Sequence, residues 1–366
     1  MTTKRFQAVR DALKSLFPGE PLGHLASRLN TLAAMISGIV GSKSTNLPSI
    51  AGKVPGGSRK QGAKPESRVK RFERWLRNKA VDRETFFLPF AEALLLSLCH
   101  VPLVLVIDGS IVGRGCMTLM ISVVYKQRAL PIVWTVAKRR KGHFPEKIHI
   151  ELMSKVQQLV PPGARIVVLG DGEFDGVDLQ ALVNQCQWEY VLRTSKTTTL
   201  NWEGEEFRFD DVVDHVKPGD LFDVPNVLFT KRKYGPVLAI TWWRIDCKEP
   251  IHLVSNMTSA QDACSYYRRR FKIETLFSDQ KSRGFHLNKS HLSDPTRLSR
   301  LMIATCLAYF WMIYLGAHAM GSGWNKIIHR TDRCDLSLFQ LGLRLLDHFL
   351  NEELPIPVAF TLASGG

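Results

Sequence analysis

The chain has 366 residues, 45% apolar and 23% charged, which is the composition of a soluble globular protein and excludes disordered, collagen-like and disulfide-scaffold classes. At roughly 150 residues per domain the length suggests two to three domains. Lysine and arginine number 49 against 34 aspartates and glutamates, a formal charge of +15. That excess favours a polyanionic partner, nucleic acid or an anionic membrane, and says nothing about fold. The seven cysteines (Cys99, Cys116, Cys186, Cys247, Cys264, Cys306 and Cys334) form no C-x-x-C pair and read as reduced, mostly buried thiols of a cytoplasmic protein. The first twenty residues mix apolar and charged positions without the apolar run of a secretory signal, so export is not expected.

Helical apolar spacing covers Leu25 to Val40 and ends near Gly41. A short helix fits Leu47 to Ala51, broken by Pro55, Gly56 and Gly57, and a basic helix fits Glu66 to Asn78. From Lys53 to Lys79 the local balance is +8, carried by Arg59, Lys60, Arg68, Lys70, Arg71 and Arg74 among others. This pattern predicts a helical DNA-binding domain of helix-turn-helix type over residues 1–85, with these six residues on DNA. An ordinary solvated basic face is the alternative. The segment GIVGSKST (Gly38 to Thr45) has the look of a phosphate loop, but Ser42 stands where glycine is needed before Lys43 and no strand precedes it.

From residue 86 to 199 the texture is α/β. Strands fit Leu103 to Ile107, Met117 to Tyr125 and Leu130 to Val136. A helix follows at Lys147 to Leu159, a strand at Arg165 to Leu169, a helix at Val177 to Cys186 and a strand at Glu189 to Leu192. The order β-β-β-α-β-α-β predicts a ribonuclease H-like mixed sheet flanked by helices. Residues 200–255 read as short strands, a β-rich insertion subdomain with an acidic first part. Residues 256–366 return to helices at Ser259 to Phe285, Asp294 to Met320 and Asp335 to Phe349, closing the catalytic core. Leu301 to Met320 contains no charged residue and is long enough to span a bilayer. As the single run of that length, it is expected to be the central helix of a soluble core, with no membrane partner.

Asp108 follows an apolar strand, and Asp171 follows another in RIVVLGDGEFDG; such carboxylates are held by a sheet while facing a cleft. An aspartate there is commonly a turn or cap residue, so each alone carries little. The two would meet if their strands are neighbours. Asp175 competes with Asp171, but it is expected to cap the next helix. In SYYRRRFKIETLFSDQKSRGF, residues Tyr267, Arg270, Glu274 and Lys281 fall on one helical stripe about 60° wide. A carboxylate flanked by cations and a ring suits phosphodiester chemistry; ordinary exposed Arg-Glu pairing at i, i+4 is the alternative. No His and Cys spacing suggests structural zinc.

The combination Y-x2-R-x3-E-x6-K resembles the Tyr-Arg-Glu-Lys signature of bacterial insertion-sequence transposases of the "insertion-sequence four" family, a branch of the DDE transposases. The resemblance extends over about residues 20–320. It implies a ribonuclease H-like core and a metal site built from Asp108, Asp171 and Glu274, which would hold Mg2+ with Mn2+ as a substitute. It further implies cut-and-paste chemistry on double-stranded DNA (the element's ends and a target), a homodimer assembled on that DNA, and a cytoplasmic, nucleoid-associated location. Tyr267, Arg270 and Lys281 would contact DNA. Relatives stack a tryptophan of the insertion on a displaced base; Trp242 or Trp243 would take that role, no motif fixes which, and Trp243 is the one assigned to DNA. Gly172 departs from the family pattern, since arginine often follows the second aspartate, and removes one expected cation. A nuclease or resolvase of the same core without strand transfer, or a non-catalytic DNA-binding repressor, are the competing readings.

Overall fold

The computed structural model describes residues 2–17, 19–56, 64–139, 142–213 and 216–362. Six helices come first: α1 (Thr2–Lys14), α2 (Gly23–Ser42), α3 (Leu47–Gly52), α4 (Pro65–Arg77), α5 (Arg83–Phe86) and α6 (Leu88–Leu98). The expected β-β-β-α-β-α-β order follows as β1 (Leu103–Gly113), β2 (Cys116–Tyr125), β3 (Arg128–Lys138), α7 (Glu146–Gln157), β4 (Ile166–Gly170), α8 (Val177–Gln185) and β5 (Glu189–Arg193). Then come β6 (Thr199–Trp202), β7 (Glu205–Arg208), α9 (Phe209–Val213), β8 (Leu221–Phe229), β9 (Tyr234–Trp242) and β10 (Ile251–Ser255). Helices α10 (Ala260–Tyr267), α11 (Lys272–Gln280), α12 (Pro295–Gly321), α13 (Asn325–Ile328) and α14 (Leu338–Asn351) end the chain.

The ten strands among the described residues form one mixed sheet in the order β3-β2-β1-β4-β5-β10-β9-β8-β6-β7. The β1-β2-β3 meander is antiparallel, β1-β4-β5 is parallel, and from β5 outward every pairing is antiparallel. The strands of residues 200–255 therefore do not make a sheet of their own: β10 pairs with β5 and carries the sheet through the whole segment. Proline is tolerated in three strands because it sits at irregularities, where a ladder donor is not required, Pro236 of β9 lying where the β8–β9 register shifts between Val227 and Phe229. Pro131 lies in the edge strand β3 beside the unpaired Ile132, and Pro225 lies in β8 where the register shifts between Val224 and Val227.

Helix α12 starts at an Asp294 side chain that caps the Arg297 amide at 2.7 Å, with Pro295 in the first turn. It is long and apolar enough to cross a membrane, yet 83% of its most apolar window is buried inside the fold. It packs against α14, α2, α4 and β3. The N-terminal helices are stitched to this part of the molecule. Arg300 donates to the Val81 and Leu76 carbonyls at 2.8 and 2.9 Å, and Thr45 Oγ1 to the His286 carbonyl at 3.0 Å. Helix α4 buries Phe72, Trp75 and Leu76 and exposes Lys70, Arg71, Arg74 and Arg77. Arg68 instead donates inward, to the Val54 carbonyl at 2.7 Å, and Arg59 and Lys60 lie outside the described residues. The segment GIVGSKST runs through the end of α2 and its cap, not through a phosphate loop. Of the cysteines, all free, Cys116, Cys264 and Cys306 are buried and the other four are half-buried, so fewer thiols are interior than their reading as core residues implied.

The tightest helix contact is between α12 and α14. A methyl group on Gly342 would stand 1.9 Å from the Met312 carbonyl oxygen, a backbone atom that cannot turn aside. We expect Gly342→Ala to lower stability by about 1–3 kcal/mol in urea or thermal denaturation, the usual cost of overpacking; an unchanged midpoint would show that the helices can separate there at no cost.

Candidate active site

The parallel ladder between β1 and β4 ends at the pair Ile107 and Gly170. The next residues are Asp108 and Asp171, so the register alone puts the two carboxylates side by side. Asp108 is not at the end of its strand: β1 continues to Gly113, and Asp108 pairs with Met120 on the antiparallel side. Strand β4 does stop at Gly170. A Cβ there would come 2.7 Å from the Phe174 Cβ and 3.0 Å from Leu192, so only glycine lets the chain turn this closely over its neighbours. Each aspartate then accepts the amide of the following glycine, at 2.7 Å for Gly109 and 2.8 Å for Gly172, which fixes the carboxylate direction.

Glu274 arrives from α11. The predicted single helix over Ser259 to Phe285 is broken at 268–271, where successive amides bond three residues back (Arg270 to Tyr267, Ile273 to Arg270, Glu274 to Phe271) instead of four. The stripe geometry, which needs a continuous 3.6-residue period, does not hold, and Lys281 lies beyond the end of α11. The four residues are nonetheless brought together with the aspartates, by a different route. Arg270, whose side chain is 5% exposed, stands among the three carboxylates: 3.6 Å from Asp108 Oδ2, 3.5 Å from Asp171 Oδ2 and 3.4 Å from Glu274 Oε1. Its guanidinium lies 4.5 Å from the Phe271 ring centroid and 6.0 Å from that of Tyr267. Tyr267 is buried, so its ring packs on Arg270 and is not presented to a ligand. Lys281 bonds Ser110, two residues past Asp108, through its ammonium.

Asp175 turns away from this cluster, accepting the Thr194 hydroxyl at 2.6 Å. Nor is it the cap of α8: Glu146, from α7, accepts the Asp178 and Leu179 amides at 2.9 and 3.1 Å. Arg193 was not singled out from sequence. It ends β5 one residue beyond the Gly170 and Leu192 pair, and approaches Asp171 Oδ1 at 3.8 Å, supplying a cation beside Asp171 where Gly172 supplies none. The signal was present only as cross-strand register. Next to it opens a cavity of about 540 Å3 lined by Asp171, Arg193, Lys196, Lys248, His252 and Trp243 among others. Trp243 is half-buried in its wall, whereas Trp242 is buried, with the Arg244 and Arg268 guanidiniums 5.5 and 5.1 Å from its ring centroid. Burial, then the neighbouring Arg193, holds His252 down at about 4, so at neutral pH its ring adds no charge to this cavity, where Asp171 and Glu249 stand against three cations.

Residues 102–311, more than half of the chain, match the family model of the Transposase DDE domain. The chain belongs to this family. The matched segment of this DDE transposase contains Asp108, Asp171 and Glu274. Among solved structures it is similar to piggyBac transposase in a synaptic complex with hairpin DNA, at 12% identity and a TM-score of 0.42 over 98% of this chain and 80% of that one. It is also similar to human ENDOV, at 13% identity and a TM-score of 0.26 over 59% and 89% of the two chains. No curated protein matches the chain.

The electrostatics of the cluster are dominated by desolvation. Burial, opposed by the Gly109 amide and Arg270 and reinforced by Asp171 and Glu274, holds the Asp108 carboxyl up at about 6. An unfolded aspartate titrates near about 3.9, so between these values the folded protein binds more protons than the unfolded chain. The stability Asp108 contributes is full below about pH 4 and is lost as pH rises through about 6. Asp108→Asn should accordingly stabilise the protein by about 1–3 kcal/mol near neutral pH and by almost nothing near about pH 4, read as paired melting curves. Equal shifts at both pH values would exclude a buried charge at this position.

Proposed function

We propose that this DDE transposase binds the ends of an insertion element and carries out metal-dependent strand cleavage and strand transfer, as a member of the "insertion-sequence four" branch. The observation that carries the reading is the convergence of Asp108, Asp171 and Glu274 on one point, by strand register and by a shared arginine, inside the matched family segment. The sheet order β3-β2-β1-β4-β5, with the carboxylates where the parallel pairing ends, supports a ribonuclease H-like core.

Three hard carboxylate oxygens form the donor set of a Mg2+ or Mn2+ site. A cation, the Arg270 guanidinium, already stands among them with its buried Nε lacking any hydrogen-bond partner among the described residues. The donors fit the ion in chemical kind, while among the described residues no three His, Cys, Asp or Glu side chains stand close enough together to hold one as they are placed. Bound Mg2+, or Mn2+ in its stead, would activate the attacking water or 3′-hydroxyl and stabilise the departing oxygen. The chain's own residues do the rest. The Gly109 and Gly172 amides orient the two aspartates, and Lys281 and Arg193 flank them with positive charge suited to phosphate oxygens. The cavity beside Asp171, with the Trp243 ring in its wall and Arg193, Lys196 and Lys248 around it, is of a size and charge to take a displaced nucleotide stacked on the indole.

We place end recognition on the exposed basic face of α4, where Lys70, Arg74 and Arg77 fall within about 60° of one another. The active form would be a homodimer assembled on double-stranded DNA. The competing reading, a nuclease without strand transfer, shares every residue of the site and differs only in product.

Asp108→Asn, Asp171→Asn and Glu274→Gln should each lower Mg2+-dependent cleavage by about three orders of magnitude or more while leaving DNA binding intact; substantial cleavage by any one removes that residue from the site. Joined product in the same assay separates a transposase from a nuclease. In the full chain, neutralising Lys70, Arg74 and Arg77 together should reduce the slope of log affinity against log salt by about 2–3 with little change in melting temperature. An unchanged slope would put the DNA surface elsewhere.

A further inference from the structure

Arg270 is an odd tenant for a phosphodiester site. A cation meant to grip phosphate is expected at the rim, but this one is 5% exposed and in contact with all three carboxylates at once. Its hold on them is loose. The three contacts, at 3.4 to 3.6 Å, are longer than the 2.7–2.9 Å typical of charge-assisted hydrogen bonds, and Nε has no partner among the described residues. The oxygens it touches, Asp108 Oδ2, Asp171 Oδ2 and Glu274 Oε1, are one from each carboxylate, so the arginine engages every group that would hold a divalent ion.

We propose that Arg270 is an internal counterion that stands in for the metal, holding the three carboxylates together in its absence and leaving them when a divalent ion binds. Metal affinity is then set by competition with the protein's own arginine. This inference rests on the carboxylates being the metal site. Without any cation, three carboxylates in a partly desolvated cluster repel one another. Counting Arg270 alone, the three carboxylates keep a formal charge of −2, which Arg193 beside Asp171 offsets in part, and one oxygen of each is already engaged. Guanidinium and metal repel each other and compete for the same donors, so the arginine must yield. It is placed to do so: it lies in the 268–271 turn and not within a helix, and its neighbouring supports are the Tyr267 and Phe271 rings, the latter itself 42% exposed. The displaced guanidinium carries its charge with it, and a DNA phosphate at the mouth of the site is the anion that would receive it. Metal and DNA would thus favour each other's binding, because each removes a cost of the other, and such coupling is reciprocal. The chain without DNA would be a poor metal binder, which keeps cleavage chemistry from running on arbitrary substrates.

The test is Mn2+ binding to the full chain without DNA, followed by the paramagnetic signal of free Mn2+ and by melting temperature, for wild type, Arg270→Gln, Arg270→Lys and Asp108→Asn. Arg270→Gln should bind Mn2+ about tenfold or more tightly than wild type, and Mn2+ should raise its melting temperature further than it raises that of wild type. Arg270→Lys, which keeps a cation at the position, should stay closer to wild type. If Arg270→Gln does not fold without metal, refolding it in Mn2+ should restore the wild-type circular dichroism spectrum and chelation should abolish it; failure to restore it overturns the proposal. Equal or weaker Mn2+ binding by Arg270→Gln, with Asp108→Asn still weakening binding, overturns the counterion role and leaves the metal site standing. Mn2+ binding indifferent to Asp108→Asn in both the wild-type and Arg270→Gln backgrounds overturns the metal site, and the counterion with it.

Discussion

The site depends first on a matter of register. The parallel ladder of β1 with β4 places Ile107 opposite Gly170, and because side chains alternate faces, a slip of one residue would send Asp108 and Asp171 to opposite sides of the sheet. Nothing in the carboxylates themselves enforces this alignment; they repel. It is enforced by buried aliphatic residues, Leu105, Val106 and Ile107 against Val168 and Leu169, each fully or almost fully removed from water. Apolar packing therefore supplies the free energy that holds like charges together, and part of it goes into keeping the Asp108 carboxyl buried and its pKa raised.

The third carboxylate needs a separate anchor, because α11 is tethered to the sheet and not part of it. Asp279, five residues after Glu274 in α11 and 7% exposed, pairs with Arg128 of β3 at 3.6 Å and accepts the Tyr309 hydroxyl of α12 at 3.3 Å. Lys281 bonds Ser110 of β1 just beyond it. These two attachments fix the far end of α11, while the turn at 268–271 fixes the near end, so Glu274 is held between a buried ion pair and the arginine cluster. Buried ion pairs contribute little net stability compared with apolar packing, but breaking one partner is costly; here the pair gives the helix one seat instead of several.

Much of this was legible in the sequence because it is local. Strand, aspartate and glycine in succession mark Asp108 and Asp171, and the alternation of strands and amphipathic helices from 103 to 193 was read in the right order. What escaped the reading is non-local or turns on backbone detail. A hydrophobic pattern cannot distinguish one helix over 260–280 from two helices joined by a tight turn, since both bury Tyr267, Ile273 and Leu276. Arg193 becomes a neighbour of Asp171 only through β4 and β5 pairing. The β-rich segment 200–255 had the texture of a separate unit, but whether its strands join the main sheet depends on a single pairing, β10 with β5, that no local signal announces. The cap of α8 was assigned to Asp175 by proximity in sequence, and Glu146, about thirty residues earlier, fills it instead.

Helix α12 lies against α2 and α4 as well as against β3 and α14, and the consequence is one of timing. The apolar faces of the first helices are made early in synthesis, but the surface that covers them belongs to residues 295–321. The contact of Arg300 with Val81 joins the two across 219 residues, and Thr45 reaches His286, just before α12, across 241. Loops of that length close late, and proteins ruled by such distant contacts fold slowly. Until α12 has left the ribosome, the basic N-terminal segment keeps an uncovered apolar side, the kind of transiently exposed surface that makes incomplete chains prone to aggregate.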